Sequence, residues 1–94
     1  MNSDQKGWDG FLQLCLFAKD KQDYSLLFDF LLTPEEINDL AKRVLIIKEL
    51  LKGEKTQREI AKDLNVSIAK ITRGSNFLKT ISKDLRRFVT DNIS

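Results

Sequence analysis

The residues of this chain that could carry chemistry favour binding over catalysis. The sequence of 94 residues has no histidine and one cysteine, so a Ser-His or Cys-His catalytic pair and a Cys/His zinc site are excluded within one chain. Cys15 lies in the apolar run FLQLCLF with no cation placed to activate its thiol, and we expect a small buried side chain. The serines and threonines lack a paired base. We therefore predict neither an enzyme nor a metal site.

One helical segment combines a cation with a missing side chain. In VSIAKITRGSNFLK, residues 66–79, Arg73 precedes Gly74 in the middle of a sequence with the spacing of a helix that buries one side. Glycine in a helix interior costs about 1 kcal/mol relative to alanine. Two interpretations have equal support. Either a flat apolar ligand uses the space and stacks on the arginine, or a neighbouring helix approaches closely there.

The elements around this pair have the spacing of a helix-turn-helix motif. Thr56 and Glu59 have capping-box spacing, which predicts a helix over residues 57–64. Ser67 is the predicted N-cap of a second helix over residues 68–79. An eight-residue helix, a three-residue turn and a second helix with small and apolar contact residues are typical of this motif. An ordinary pair of packed helices is the alternative.

A helix-turn-helix motif places the start of its second helix in the DNA major groove. The first turn of the first helix can reach phosphates or a guanine edge. The candidate DNA-facing residues are Gln57, Arg58, Ile68, Ala69, Lys70 and Thr72.

The distribution of charge also favours a polyanionic partner. Residues 1–39 carry three basic and eight acidic side chains, whereas residues 40–94 carry thirteen basic and six acidic ones. A basic half is typical of a nucleic-acid-binding surface, although a solvated lysine-rich helix explains it equally well.

The spacing of apolar residues predicts an all-α chain of six helices in a single domain. The predicted helices cover about residues 4–19, 23–31, 34–52, 57–64, 68–79 and 82–91. Thr33 and Pro34 mark the start of the third helix, and we expect one side of it to be buried by Ile37, Leu40, Ala41, Val44, Ile47, Leu50 and Leu51. The last helix is expected to bury Leu85, Phe88 and Val89.

The N-terminal half has more large apolar side chains than three short helices can cover. Because they are dense between residues 11 and 32, we infer that these helices pack against a second copy of the chain as a homodimer. The predicted dimerisation core covers about residues 1–53 and 82–94, and the helix-turn-helix head covers residues 57–79. No apolar run approaches the about 20 residues of a membrane span, and the start MNSDQKGWDG is neither a signal nor a transit peptide. We predict a cytoplasmic protein without a membrane partner.

Three segments resemble the trp repressor family. They are LLTPEE, RVLIIKELLKGEKTQREIAKDL and SIAKITRGSNFLK, within a match from about Leu31 to Lys79, and ITRGSN after the helix-turn-helix motif is their most particular element. The resemblance implies an intertwined all-helical homodimer whose two heads contact successive major grooves of a palindromic double-stranded operator. It also implies L-tryptophan as a corepressor ligand, bound between the dimer core and each head, and no other cofactor.

The resemblance assigns roles to particular residues. Arg73 would stack on the indole, Gly74 would leave it room, and Arg43 would face the other side of the ring and pair with the carboxylate. Thr33 would line the pocket, together with the backbone near Leu32 and Phe30 of the other subunit. From the residues alone, an ion pair between Arg43 and Asp39, four positions earlier, is the preferred interpretation of that arginine.

The sequence departs from the family at several of these positions. Phe77 stands where the family has a small residue, often serine, near the amino group of the ligand, so we expect the affinity for tryptophan or the manner of binding to differ. Ala61 replaces a basic residue and Lys70 a threonine, which implies a different operator sequence.

The predicted function is a tryptophan-dependent repressor of genes for tryptophan biosynthesis or uptake. Two alternatives stay open: a corepressor-independent regulator in which Phe77 fills the pocket, and a helical dimer that acts only as a protein-interaction module.

Overall fold

The computed structural model describes residues 2–93, and in this part of the chain all regular structure is helical. The helices are α1 (Ser3–Phe17), α2 (Lys21–Leu31), α3 (Pro34–Lys52), α4 (Gln57–Leu64), α5 (Ile68–Thr80) and α6 (Lys83–Asn92). The predicted all-α class and the order of the six helices are confirmed.

The ends of the later helices follow local sequence chemistry. The Thr33 hydroxyl accepts from the Glu36 N–H at 3.1 Å, and the Glu36 carboxylate accepts from the Thr33 N–H at 2.9 Å, so α3 begins with a capping box. Gly53, with φ +67°, follows the last residue of α3. These boundaries agree with the predictions.

The turn between α4 and α5 is also determined by its residues. The Thr56 hydroxyl accepts from the Glu59 N–H at 3.2 Å, and the Glu59 carboxylate accepts from the Thr56 N–H at 2.9 Å. This contact with the Thr56 backbone N–H is the main cause that lowers the pKa of Glu59. Asn65 ends α4 in the left-handed conformation, at φ 54° and ψ 51°, and Ser67 caps α5. The predicted capping box and N-cap are confirmed.

The boundary between α1 and α2 was predicted wrongly. The helix over residues 4–19 ends at Phe17, and α2 begins at Lys21 rather than at residue 23. The reason is Asp20, whose carboxylate accepts from the Asp23 N–H at 2.9 Å and so caps α2 earlier.

The chain divides into two compact units, residues up to Asn38 and residues from Asp39. In the first unit, aromatic rings join α1 and α2. The Phe11 ring lies 5.3 Å from Trp8 and 6.2 Å from Phe28, and the Tyr24 hydroxyl donates to the Cys15 carbonyl at 3.2 Å. Cys15 is only partly buried. None of the described residues of α1 and α2 is fully buried.

The second unit has its own core. Ile46 of α3, Ile60 of α4 and Ile71 of α5 are buried together, and the partly buried side chains packed against them are Leu50, Ala61, Leu64 and Val66. Burial of each isoleucine contributes about 1.5–3 kcal/mol. The Lys42 ammonium donates to the Leu64 carbonyl at 2.7 Å and so joins α3 to the end of α4. Ile60, Ala61 and Leu64 therefore form the inward face of α4.

Two predicted apolar faces are exposed in the single chain. In α6, Phe88 is 65% exposed and Leu85 42%, so the expected burial of these two side chains was wrong for one copy. In α3, the expected buried side chains Ile37, Leu40 and Val44 are exposed, and Ile46 is buried instead. The physical reason is that α3 is apolar on more than one side. Ile46 and Leu50 in its C-terminal half pack in the core with α4 and α5, whereas Ile37, Leu40 and Val44 in its N-terminal half remain uncovered.

Candidate functional site

The first turns of α4 and α5 are joined by a side-chain contact. The Thr72 hydroxyl lies 3.0 Å from the Gln57 carboxamide oxygen and 3.1 Å from the Ile68 carbonyl, so both oxygens share one hydroxyl proton. Because the Gln57 oxygen accepts this bond, its NH₂ group is directed away and can donate to a phosphate or a base edge.

The other candidate DNA-facing residues are available to a partner. Arg58, Ile68, Ala69, Lys70 and Thr72 are exposed, whereas Gln57 is partly buried by its contact with α5. Beneath them, Ile60 and Ile71 are fully buried, which fixes α4 against α5. The structure therefore presents these residues near the starts of two helices that share a packed core.

A cavity of about 550 Å³ lies between α3 and α5 within the second unit. Its lining residues are Asp39, Arg43, Ile46 and Ile47 of α3 and Lys70, Arg73, Gly74 and Phe77 of α5. The spacing within each set is helical, so the cavity is formed by one side of each helix. We name it the α3–α5 cavity. Its volume lies within the range of small-molecule sites.

Gly74 of α5 lies against the side chains of Ile46 and Leu50 of α3. A Cβ at this position would lie 3.2 Å from Ile46 Cγ2 and 3.2 Å from Leu50 Cδ1, which is tighter than ordinary van der Waals contact. The interpretation of Gly74 as a point of close helix approach is therefore confirmed. Gly74 also lines the α3–α5 cavity.

The two arginines implied by the resemblance line the same cavity from opposite helices. Arg43 comes from α3 and Arg73 from α5. Asp39 lines the cavity beside Arg43, but within residues 2–93 no ion pair shorter than 4.0 Å joins them. The preferred interpretation of Arg43 as an ion-pair partner of Asp39 was therefore wrong for this structure.

Phe77 is a lining residue of the cavity rather than a plug. Its side chain is 54% exposed, and the cavity keeps its volume of about 550 Å³ with the phenyl ring in place. The ring adds an apolar surface to those of Ile46 and Ile47. A flat aromatic ligand is therefore compatible with this residue.

Three of the implied pocket residues belong to the first unit. The Thr33 hydroxyl accepts from the Glu36 N–H at the start of α3. Leu32 lines a separate apolar cavity of about 690 Å³, with Trp8 and Phe11 among its other residues. Phe30 is 84% exposed. The assignment of these three residues to the ligand site stays a prediction.

Sequence reasoning missed Asp39 and Lys70 as cavity residues. Asp39 had been considered only as a partner of Arg43, and Lys70 only as a DNA-facing residue. Asp39 is four positions before Arg43, and Lys70 is three positions before Arg73. Residues at these separations lie on the same side of a helix, and this spacing could have predicted that they share the cavity.

An ion-pair cluster joins the end of α3 to α4 through Lys55. The Lys55 ammonium lies 2.7 Å from Asp63 and 3.7 Å from Glu49, and the hydrogen bond with Asp63 is the main cause that raises the pKa of Lys55. Because Lys55 and Asp63 are both exposed, their ion pair contributes little to stability.

Neither a membrane span nor a metal site is found in the described part of the chain. No helix within residues 2–93 is long and apolar enough to cross a membrane. The same residues contain no group of three or more potential metal ligands.

Comparison with known proteins adds a family to this geometry. Residues 6–92 match the family described as Trp repressor protein. A Trp operon repressor homolog of Chlamydia trachomatis serovar D is 44% identical over 92 residues, which cover 98% of each chain. The homolog of Chlamydia caviae is 44% identical over 87 residues, 93% of this chain and 86% of the relative. That of Vibrio campbellii is 46% identical over 79 residues, 84% of this chain and 79% of the relative.

Proposed function

The chain belongs to the Trp repressor family, a family of DNA-binding regulators rather than enzymes, and from this premise we propose that L-tryptophan activates it as a corepressor. In this proposal the protein is a sequence-specific repressor that binds double-stranded operator DNA in the cytoplasm. The genes it controls serve tryptophan biosynthesis or uptake.

The observation that carries the proposal is that one helix contributes to both sets of candidate residues. The start of α5 supplies exposed residues for the DNA major groove, and its next turns supply Arg73 and Gly74 to the α3–α5 cavity. A molecule in the cavity contacts α3 and α5 together. Its binding therefore stabilises one position of α5 relative to α3.

The chemistry of the cavity suits an aromatic amino acid. An arginine guanidinium stacks on an indole ring and forms paired hydrogen bonds with a carboxylate. We assign the stacking to Arg73 and the carboxylate to Arg43, which line opposite sides of the cavity. Ile46, Ile47 and Phe77 supply apolar contacts for the ring.

The proposed mechanism is a shift between two populations of the head. Without ligand, α4 and α5 sample several positions, of which few fit the operator. L-tryptophan binds the competent position more tightly and raises operator affinity by the ratio of its affinities for the two states.

We propose further that the active species is a homodimer. Large apolar side chains exposed in one copy support this proposal, and they are Trp8, Leu16, Phe17, Leu26, Phe30 and Phe88. Many large apolar side chains exposed in one copy are typical of a chain that forms an obligate interface. A two-fold dimer presents two α5 helices to the two halves of a palindromic site.

The test is a DNA-binding titration on a palindromic site selected in vitro, with and without millimolar L-tryptophan. We expect the ligand to increase the affinity of the unmodified protein at least tenfold. Arg73→Ala should remove this increase while sedimentation still shows a dimer. Arg87→Ala removes the same charge outside the cavity and should keep the response to tryptophan. A full response of Arg73→Ala would overturn the assignment.

The same titration separates the alternatives. A corepressor-independent regulator would bind the operator equally with and without ligand, and calorimetry would show no heat with L-tryptophan. The cavity that persists beside Phe77 favours ligand binding over this alternative. A protein-interaction module would bind all DNA sequences weakly and to the same extent.

A further inference from the structure

We propose that Asp39 binds the ammonium group of the corepressor, so that Asp39 and Arg43 together recognise both charges of an α-amino acid. This inference rests on the proposed function, since it names the group in the α3–α5 cavity that distinguishes an amino acid from other indole ligands.

The first argument is the supply of hydrogen-bond acceptors in the cavity. Arg43, Lys70 and Arg73 have only donors in their side chains, and the apolar lining residues and Gly74 offer no polar side-chain group. Among the described residues that line the cavity, Asp39 is the one whose side chain can accept a hydrogen bond at neutral pH.

The second argument is electrostatic. Three of the lining side chains are cations, so a ligand ammonium that enters the cavity is repelled by each of them. A carboxylate beside the ammonium offsets this repulsion. Asp39 supplies the only negative charge among the described lining residues.

The third argument is spacing. Asp39 and Arg43 are four positions apart on α3, which places their Cβ atoms about 5–6 Å from each other on one side of the helix. The ammonium and the carboxylate of an α-amino acid are bonded to the same carbon. One ligand can therefore contact both side chains at once.

The fourth argument is that Asp39 is available. Its side chain is exposed, and within residues 2–93 no ion pair joins it to Arg43 or to another cation. A ligand ammonium consequently does not have to displace an existing partner. Its contact with Asp39 is a charge-assisted hydrogen bond, which is stronger than one between neutral groups.

The experiment compares Asp39→Asn with the unmodified protein by calorimetry, using L-tryptophan, tryptamine and indole-3-propionate. Tryptamine lacks the carboxylate, and indole-3-propionate lacks the ammonium. We expect Asp39→Asn to weaken L-tryptophan about tenfold and to weaken tryptamine similarly. Binding of indole-3-propionate should stay the same or become tighter, because a negative charge near its carboxylate is removed. Asp91→Asn, outside the cavity on α6, makes the same change in net charge and should leave all three affinities unchanged.

The outcomes distinguish this inference from the proposed function. Unchanged L-tryptophan affinity in Asp39→Asn would overturn the inference and leave the proposed function intact. An equal loss for L-tryptophan and indole-3-propionate would also overturn it, because Asp39 would then act on the shape of the cavity. Absence of L-tryptophan binding by the unmodified protein would overturn the proposed function itself. Circular dichroism of each variant shows that the helices are retained.

Discussion

The two units of the chain differ in how they bury apolar side chains. In the unit up to Asn38, aromatic rings of α1 and α2 touch each other, yet none of the described residues of these helices is fully buried. In the unit from Asp39, Ile60 and Ile71 are inaccessible to solvent. The second unit thus has a core of its own. The first has the apolar side chains for a core but, within one chain, not the partners to cover them.

This difference is consistent with the proposed roles of the two units, dimerisation for α1 and α2 and DNA binding for α4 and α5. A head that presents DNA-facing residues in a fixed arrangement needs its own packed core, and α4 and α5 have one. A dimerisation core can take its burial from a second copy, and α1 and α2 have the exposed apolar surface for it.

The largest expected effect is the loss of the dimer on substitution of an exposed apolar residue in α2. Phe30 is 84% exposed in one copy, so Phe30→Asp should have little effect on a monomer. If Phe30 is covered in the dimer, two copies lose the burial of a phenyl ring, and the dimer should be destabilised by about 3–6 kcal/mol. Analytical ultracentrifugation across a range of concentrations measures this change.

Gln22→Asp is the matched control for that experiment, because it adds the same charge at an exposed position of α2. It should leave the dimer intact. If the Phe30→Asp protein remains fully dimeric, the proposal that the first unit buries this apolar side chain against a second copy is contradicted.

The second effect concerns the core of the second unit. Ile60→Ala deletes a fully buried side chain that contacts both neighbouring helices, and we expect it to lower the free energy of unfolding by about 2–5 kcal/mol. Urea unfolding followed by circular dichroism measures the change. Ile68→Ala, at an exposed position of α5, should cost less than about 0.5 kcal/mol. If both variants lower the free energy of unfolding equally, the buried isoleucine core does not contribute the stability expected of it.

The smallest expected effect on stability is that of a methyl group at Gly74. Gly74→Ala gains about 1 kcal/mol of helix propensity, but its Cβ would press on Ile46 and Leu50 at 3.2 Å. The two contributions should nearly cancel, with a net change below about 1 kcal/mol. Because Gly74 lines the α3–α5 cavity, a methyl group there should narrow the cavity, and L-tryptophan affinity should fall at least tenfold in calorimetry.

Gly10→Ala in α1 is the comparison in the other unit. A Cβ at Gly10 meets no atom within 4 Å, so this substitution should raise stability by about 1 kcal/mol without an effect on ligand binding. Unchanged tryptophan affinity in Gly74→Ala would contradict the assignment of the cavity.

The parts of the fold that depend on local chemistry were predictable from the sequence. Thr33, Thr56 and Ser67 identify the starts of α3, α4 and α5 because a side-chain oxygen that caps a helix acts within three residues. The same rule was available for Asp20, and the start of α2 was misplaced because it was not applied there.

The parts that depend on distant residues were not predictable in the same way. A helix such as α3 with apolar residues on more than one side does not reveal which side meets α5, so the burial of Ile46 was missed. Asp39 and Phe77 line one cavity although 38 positions separate them in the chain. Only the packing of α3 on α5 brings them together. The family resemblance predicted ligand roles for Arg43 and Arg73, which line the cavity, but it gave no role to Asp39.

The position of Lys70 links the proposed recognition of the ligand to the proposed recognition of DNA. It is a residue of the first turn of α5 and also a lining residue of the α3–α5 cavity. Under the proposed function, we expect a mutation of Lys70 to change ligand affinity and DNA preference together. If a substitution of Lys70 is selected for its effect on ligand binding, its effect on DNA recognition therefore has to be compensated. The compensating change can lie in the operator DNA or elsewhere in the protein.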